Sequence, residues 1–377
     1  MPIHGNLGGF IKPGFNPLGP QTEEYTYELY AWGLNNNGDL GLGDTTNRSS
    51  PVQVGSLTTW LQSSTGAGHV LALTNNGALY SWGYNVFGAL GLGDTTNRSS
   101  PVQVGALTNW LDVSGGAYSS LARKTDGTLW DWGKNNYGQL GLGDTTARSS
   151  PVQVGALNTW DEIYAGGNQF FAIKTDGTLW AWGRNTSGEL GIGDVTNRSS
   201  PVQVGALTMW SKVSGGYIYA LALTTDGKLY AWGANSNGQL GLGDTTNRSS
   251  PVQVGALTSW SKIATGYSFA LALKTDGTLW AWGKNTNGEL GIGDTTNRSS
   301  PVQVGALTTW LNVAGGRYHS LATTTAGTLY AWGYNDHGQL GQGDTTGRSS
   351  PVQVGSLTTW SVLPTMTPSR ASVVLKL

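Results

Sequence analysis

Trp-Gly recurs at Trp32, Trp82, Trp132, Trp182, Trp232, Trp282 and Trp332, always 50 residues apart, with no insertion or deletion between copies. The pair belongs to a longer phrase. Leu29-Tyr30-Ala31-Trp32-Gly33 is followed by Gly41-Leu42-Gly43-Asp44 and then by Arg48-Ser49-Ser50-Pro51-Val52-Gln53-Val54-Gly55. A fixed period of this size describes units that stack or close into a ring, because no single unit buries its apolar face alone. A chain of 377 residues could hold two or three ordinary domains. The unbroken period makes it one repeat domain instead.

One period, from Trp110 to Thr159, gives the grammar. Trp110 opens a short strand ending near Val113, and Gly115-Gly116 follows. A second strand centres on Leu121-Ala122. Asp126-Gly127 then reads as a tight hairpin turn with positive φ at both positions. Thr128-Leu129-Trp130-Asp131-Trp132 is the return strand. A Gly-rich loop from Gly138 to Gly143 leads to Asp144 and Arg148, and Pro151-Val152-Gln153-Val154 is the fourth strand, its proline suited to an edge. Four short antiparallel strands with glycine at the corners describe a propeller blade.

The chain ends set the blade count. Tyr27 to Trp32 lacks the hairpin partner that precedes the same phrase elsewhere, and Ser372-Val373-Val374-Leu375-Lys376-Leu377 stops where that partner would end. Joined, the two half-units complete a seventh blade and remove two exposed sheet edges. The expectation is an all-β, seven-bladed β-propeller of four-stranded antiparallel blades, its ring closed by pairing of the N- and C-terminal strands. Residues 25–377 form it, and residues 1–24 form a Gly/Pro-rich arm.

The phrase from Leu229 to Asp244, followed by Pro-Val, a Gly-Gly step and Leu271-Ala272-Leu273-Lys274-Thr275-Asp276-Gly277, resembles the regulator-of-chromosome-condensation repeat. The resemblance covers residues 25–377 and implies the same closed seven-bladed ring. Members of that family do unrelated things on one scaffold: nucleotide exchange on a small GTPase, ultraviolet sensing in plants, β-lactamase inhibition, and roles on bacterial and phage surfaces. The exchange factor's inserted wedge has no room in this strict register. Near-identical repeats without insertions resemble the bacterial and phage members in style.

Charged residues make up 11% of the chain, against about 25% in an average soluble domain. A net charge of −1 gives no footprint for nucleic acid. Cysteine is absent, which removes disulfides and thiolate metal sites. No apolar run reaches the roughly 18 residues needed to cross a bilayer. The N-terminus lacks the basic start and apolar core of a secretory signal.

Catalytic chemistry finds few candidates. The column of Asp44 and Arg48, repeated through Asp344 and Arg348, is needed in every blade and therefore by the blade. It reads as a clamp on the long loop, the carboxylate accepting backbone N–H groups. Both Trp columns read as core, and all 17 Trp residues fall in repeat columns. The four histidines are scattered, Glu189 and Glu289 have no evident partner, and no nucleophile elbow, phosphate loop or calcium loop is present. No cofactor, metal or enzymatic activity is expected.

Positions that differ between copies are more informative about binding. One cluster follows the Gly-Gly step: His69, Tyr118, Asn168, Gln169, Phe170, Tyr217, Tyr219, Tyr267, Phe269, Arg317, Tyr318 and His319. A second follows Trp-Gly: Tyr84, Val86, Phe87, Lys134, Tyr137, Arg184, Lys284, Tyr334, Asp336 and His337. In a ring a varied column becomes a circle. Either these circles drift neutrally in solvent or they form a recognition face rich in Tyr, Arg and Asn.

In the arm, Ile3, Phe10, Ile11, Phe15 and Leu18 are apolar anchors between glycines and prolines. They mark either a tail without fixed structure or a docking segment that gains by being covered. Surface-type composition, an apolar arm and no export signal lead to the expectation of a non-enzymatic phage virion protein, assembled in the host cytoplasm. It would be fixed to other structural proteins through the arm and would present a face to a cell-surface glycan or protein, without membrane insertion. The alternatives are a soluble propeller that regulates or inhibits a partner protein, and a carbohydrate-binding adhesin.

Overall fold

In the computed structural model, residues 27–363, 365–366 and 369–377 are described. Six four-stranded antiparallel units follow one another, and a seventh joins the two ends of the chain. The first blade contains strands Trp60–Thr65, His69–Thr74, Leu79–Gly83 and Arg98–Gln103, in that spatial order from the ring centre outward. The innermost strands of successive blades touch one another around the ring. In the first blade the two-residue strand Thr365–Met366 also pairs, in parallel, with Trp60–Thr65.

The closing blade takes its two inner strands, Trp360–Val362 and Ala371–Lys376, from the C-terminus. Its two outer strands, Glu28–Gly33 and Arg48–Gln53, come from the N-terminal side. Leu29 faces Leu375 and Gly33 faces Ala371 in one antiparallel ladder. Lys376 Nζ reaches Glu28 Oε2 at 2.9 Å across the seam. The ring is therefore closed by the pairing expected from the half-units, and no edge is left unpaired there.

Each blade's fourth strand begins at the arginine of its clamp, as in Arg148–Gln153, three residues before the proline expected to open it. The hairpin turn also differs from expectation. Gly127 has φ +81° but Asp126 does not enter positive φ. Gly127 N–H donates to Lys124 O, and Lys124 N–H donates to Thr128 O. This is a type I turn followed by a left-handed glycine and a bulge, which an Asp-Gly pair serves equally well. Asp126 Oδ1 completes it by accepting Thr128 N–H at 3.0 Å.

The core lies between blades as much as within them. All seven Trp residues of the Trp32 column have no exposed surface. Trp32 Nε1 donates to Gln339 O of the preceding blade at 2.9 Å, and Trp82 Nε1 to Asp39 O at 3.2 Å. A side chain on Gly41 would place Cβ 2.7 Å from the Trp82 indole nitrogen, so only glycine lets the loop seat that ring. The seven Trp residues of the Trp60 column are also buried, but their indole N–H groups have no hydrogen-bond partner. Each instead meets the Tyr or Trp of its own third strand edge to face, from 5.3 Å for Trp310–Tyr330 to 6.3 Å for Trp260–Trp280. In that arrangement an aromatic edge faces a π surface, the setting in which an N–H donor loses least by lacking an oxygen.

Candidate binding end of the ring

Strand direction decides which loops meet. The first strand of a blade ends, and the second begins, at the same end of the ring where the third ends and the fourth begins. The Gly-Gly loop and the loop after Trp-Gly therefore share one end. The Asp-Gly turn and the connection to the next blade occupy the other, together with a repeated half-exposed leucine such as Leu257 (47% exposed). Both clusters of varying residues converge on one surface.

The long loop at that end is held by a device repeated seven times. Arg48 Nη2 lies 2.5 Å from Asp44 Oδ2, and every other blade has the same pair at 2.5–2.6 Å. Thr46 N–H and Arg48 hold the Asp44 carboxyl below the usual carboxylate range. The centre of the device is a residue that sequence reasoning missed. Asn35, fully buried, donates to Asp44 O and Oδ1 and accepts Leu40 N–H at 2.8 Å. The constancy of Asn at this position in all seven units was its only signal, and Asn in a Gly-rich loop reads first as a turn former.

The residues proposed to bind separate into two sets. Tyr118, Tyr217, Tyr267, Arg317 and Tyr318 are partly exposed at the loop tips. His69, Asn168, Gln169, Phe170, Tyr219, Phe269 and His319 are buried, so the expectation that they face a partner is corrected. The side chains of His69, Gln169, Tyr219 and His319 cross the junction to the next blade. His69 Nε2 meets Ser120 Oγ at 2.9 Å, and Gln169 Nε2 donates to Gly216 O at 3.0 Å. Tyr219 donates its hydroxyl to Phe269 O, while Phe170 packs within its own blade against Trp182, with ring centres 6.2 Å apart. Burial pushes His69 down to about 4 and His319 down to about 3. The arm residues Ile3, Phe10, Ile11, Phe15 and Leu18 lie outside the described residues.

The exposed set joins the second cluster in a crescent of rings and cations. Tyr217 stacks on Tyr267 at 4.3 Å, Tyr267 meets Tyr318 at 5.8 Å, and Tyr318 meets Tyr334 at 6.0 Å. Arg317 lies over Tyr267 and Tyr318 at 5.2 and 5.3 Å, and Lys284 lies over Tyr318 at 4.9 Å. Further round, Tyr84, Phe87 and Tyr118 form a triangle with sides of 5.6–6.4 Å. Lys134 lies over Phe87 at 5.2 Å, and Arg184 over Tyr137 at 5.7 Å. Glu189 and Glu289 do have partners. Glu189 accepts Ser187 N–H at 2.6 Å and lies 3.4 Å from Arg184 Nε, and Glu289 accepts Asn287 N–H at 2.7 Å.

The crescent is interrupted beside the seam. Ala67 and Gly68 leave a hollow of about 10 Å³ beside Asp39, His69 and Arg370, room for a single water. Asp39 is 4% exposed, its Oδ1 has no hydrogen-bond partner, and burial pushes it up to about 7. A larger groove of about 560 Å³ lies elsewhere, between the outer strand Arg248–Gln253 and the next blade, walled by Trp260, Trp280, Lys274 and Leu257. Among the described residues no group of three His, Asp or Glu could hold a metal ion, and no helix is long and apolar enough to cross a membrane.

Solved structures with this fold include Prp20p from Saccharomyces cerevisiae, reported with its binding properties to Gsp1p and histones. It is 22% identical, with a TM-score of 0.83 over 93% of this chain and 92% of that one. Yeast RCC1 (Prp20) bound to Kap60 is 21% identical, with a TM-score of 0.84 over 94% and 90%. Human WBSCR16 is 20% identical, with a TM-score of 0.82 over 93% and 98%. At these identities the likeness is one of fold. The family model described as the regulator of chromosome condensation (RCC1) repeat matches residues 28–73, 76–123, 126–173, 176–223, 226–273, 276–323 and 326–362. With these seven matches in tandem covering most of its length, the chain belongs to the regulator of chromosome condensation repeat family.

Proposed function

We propose that this chain is a non-catalytic binding propeller whose recognition surface is the end carrying Tyr217, Tyr267, Arg317, Tyr318 and Lys284. The observation that carries this reading is the gathering of stacked tyrosines and ring-held cations at that end. Tyr and Arg supply most of the energy at protein interfaces because they bring large contact area at a modest entropy cost. The acids that would be candidates for catalysis there, Glu189 and Glu289, are buried and engaged with their own loop.

At a finer level, the propeller is a virion component of a phage, held on the particle by residues 1–24 with this end outward and available for host attachment. Supporting this are the low charge, the seven insertion-free copies and the apolar anchors Phe10, Ile11 and Phe15 ahead of a rigid ring. Deleting residues 1–24 is expected to abolish co-sedimentation with particles while leaving the melting temperature unchanged. A truncated protein that still attaches overturns the arm as anchor. A second reading, a soluble regulator of a partner protein, draws on the yeast relative whose binding to Gsp1p and histones is reported. Recovery of one stoichiometric protein from cells, with no particle association, would favour it.

A further inference from the structure

We infer that the crescent docks an acidic segment of a protein, with carboxylates meeting Lys134, Arg184, Lys284 and Arg317. This rests on reading that end as the binding surface, and it names the chemistry of what binds.

The charge is unevenly divided. The seven clamp arginines are each tied to their own aspartate at 2.5–2.6 Å and offer little to a visitor. At the opposite end each of Lys124, Lys174 and Lys274 lies over a Trp ring at 3.6–3.7 Å, with an aspartate two residues along the chain. The crescent differs, although Arg184 Nε there lies 3.4 Å from the buried Glu189. Its loop tips carry Lys134, Arg184, Lys284, Arg317 and Arg370, and among the described residues Asp336 is the exposed carboxylate beside them. That carboxylate already accepts the Tyr334 hydroxyl at 2.6 Å. Glu189 and Glu289 lie beneath with no exposed surface, and burial raises both. Among the described residues, the loop tips of this end thus carry five cations against the one exposed carboxylate of Asp336.

The cations are also preorganised. Lys284 and Arg317 share the ring of Tyr318, at 4.9 and 5.3 Å. A cation resting on a ring loses less freedom when it meets a carboxylate, so more of the pairing energy appears as affinity. The hollow beside Asp39 holds about 10 Å³, far below the several hundred needed for a small ligand. A nucleic acid duplex, with one charge per about 1.7 Å, is matched by a continuous basic stripe. Here tyrosines separate the cations. Spaced charge among aromatic rings fits an acidic polypeptide, whose carboxylates and apolar side chains alternate.

The test uses the full chain and a fluorescent poly-glutamate peptide of about a dozen residues, followed by anisotropy at low and at physiological salt. A poly-lysine peptide, a heparin oligosaccharide and a short oligonucleotide serve as comparisons. Binding of poly-glutamate is expected, weakening as salt rises. Lys284→Glu with Arg317→Glu should weaken it at least about tenfold. Lys174→Glu with Lys274→Glu, at the far end, should leave it unchanged. Melting temperatures confirm that both variants fold. Absence of poly-glutamate binding, equal loss from the far-end variant, or equal or tighter binding of heparin or oligonucleotide through the same residues would overturn the inference. If poly-glutamate fails while Tyr267→Ala with Tyr318→Ala still strips the protein of its native partner, the acidic chemistry falls and the binding end stands.

Discussion

His319 Nε2 lies 2.9 Å from Ser372 Oγ, across the junction between the sixth blade and the blade that closes the ring. The Ser372 hydroxyl donates to Gln339 O at 2.8 Å, so it can only accept from the imidazole. Nε2 therefore carries the proton, and Nδ1 is left bare and without a partner. The same logic holds at His69, where Ser120 donates to Ala89 O at 2.7 Å. Both histidines of this column stand where the next blade supplies a serine hydroxyl to accept the imidazole N–H.

Acid sensitivity follows from these two neutral rings. Their folded-state values, about 4 for His69 and about 3 for His319, lie below the value of about 6.5 for an unfolded chain. Between those limits the unfolded state binds more protons, so stability falls as pH drops below about 6.5, by up to about 1.4 kcal/mol per pH unit for each histidine. Replacing both by glutamine, which the equivalent position Gln169 shows the fold to accept, should flatten this limb. Thermal melts between pH 7.5 and 4.5 check it, and identical pH profiles for parent and variant would contradict it.

The buried asparagine of each long loop should matter more than the exposed acid it holds. Asn235 donates to Asp244 O and Oδ1, both at 3.0 Å, and accepts Leu240 N–H at 2.9 Å. Asn235→Ala strands those groups and should cost about 2 kcal/mol in chemical denaturation. Asp244→Ala should lower the melting temperature by less, because water can replace the carboxylate, and should leave binding at the crescent intact.

Asp131 stands fully buried where Ala31, Ala181, Ala231, Ala281 and Ala331 stand in other blades. Its Oδ2 has no hydrogen-bond partner, and burial raises its pKa well above the usual carboxylate range. Trp182 lies beside it and, unlike Trp232 or Trp282, does not donate to the preceding loop. Asp131→Ala should stabilise the ring by about 1–3 kcal/mol. A raised acid binds its proton more tightly when folded, so the parent loses stability as pH rises above about 4. The variant's advantage should therefore be larger at pH 8 than at pH 5 in urea titrations.

The architecture was legible because an uninterrupted period leaves few ways to arrange Trp32 through Trp332. The half-units at Leu29 and Leu375 likewise admit one join. The binding end was half legible. Variation between copies located both loops, but much of that variation is coupled between positions rather than free. Lys124, Lys174 and Lys274 occur with Trp130, Trp180 and Trp280, and lie over those rings at 3.6–3.7 Å. Thr74, Thr224 and Thr324 occur with Tyr80, Tyr230 and Tyr330. Which varied side chains turn inward depends on strand phase at the loop exit. Tyr318 falls just before the strand that His319 opens, and one residue decides between surface and core. Arg370 escaped notice because the Gly-Gly step is lost in the C-terminal unit, so its equivalence in the repeat to Tyr118 and Tyr318 shows only once Ala371 is seen opposite Gly33.

Every circle of loops described above presupposes that the two chain ends complete one blade. Glu28 and Lys376 are directly opposed in that blade, and the chain has no cysteine of its own. In Glu28→Cys with Lys376→Cys, opposed strand positions fall within disulfide range. Mild oxidation should therefore give a faster-migrating monomer on a non-reducing gel and a melting temperature that falls on reduction. A chain that forms only intermolecular disulfides, or none, would contradict the closed ring and with it the binding end.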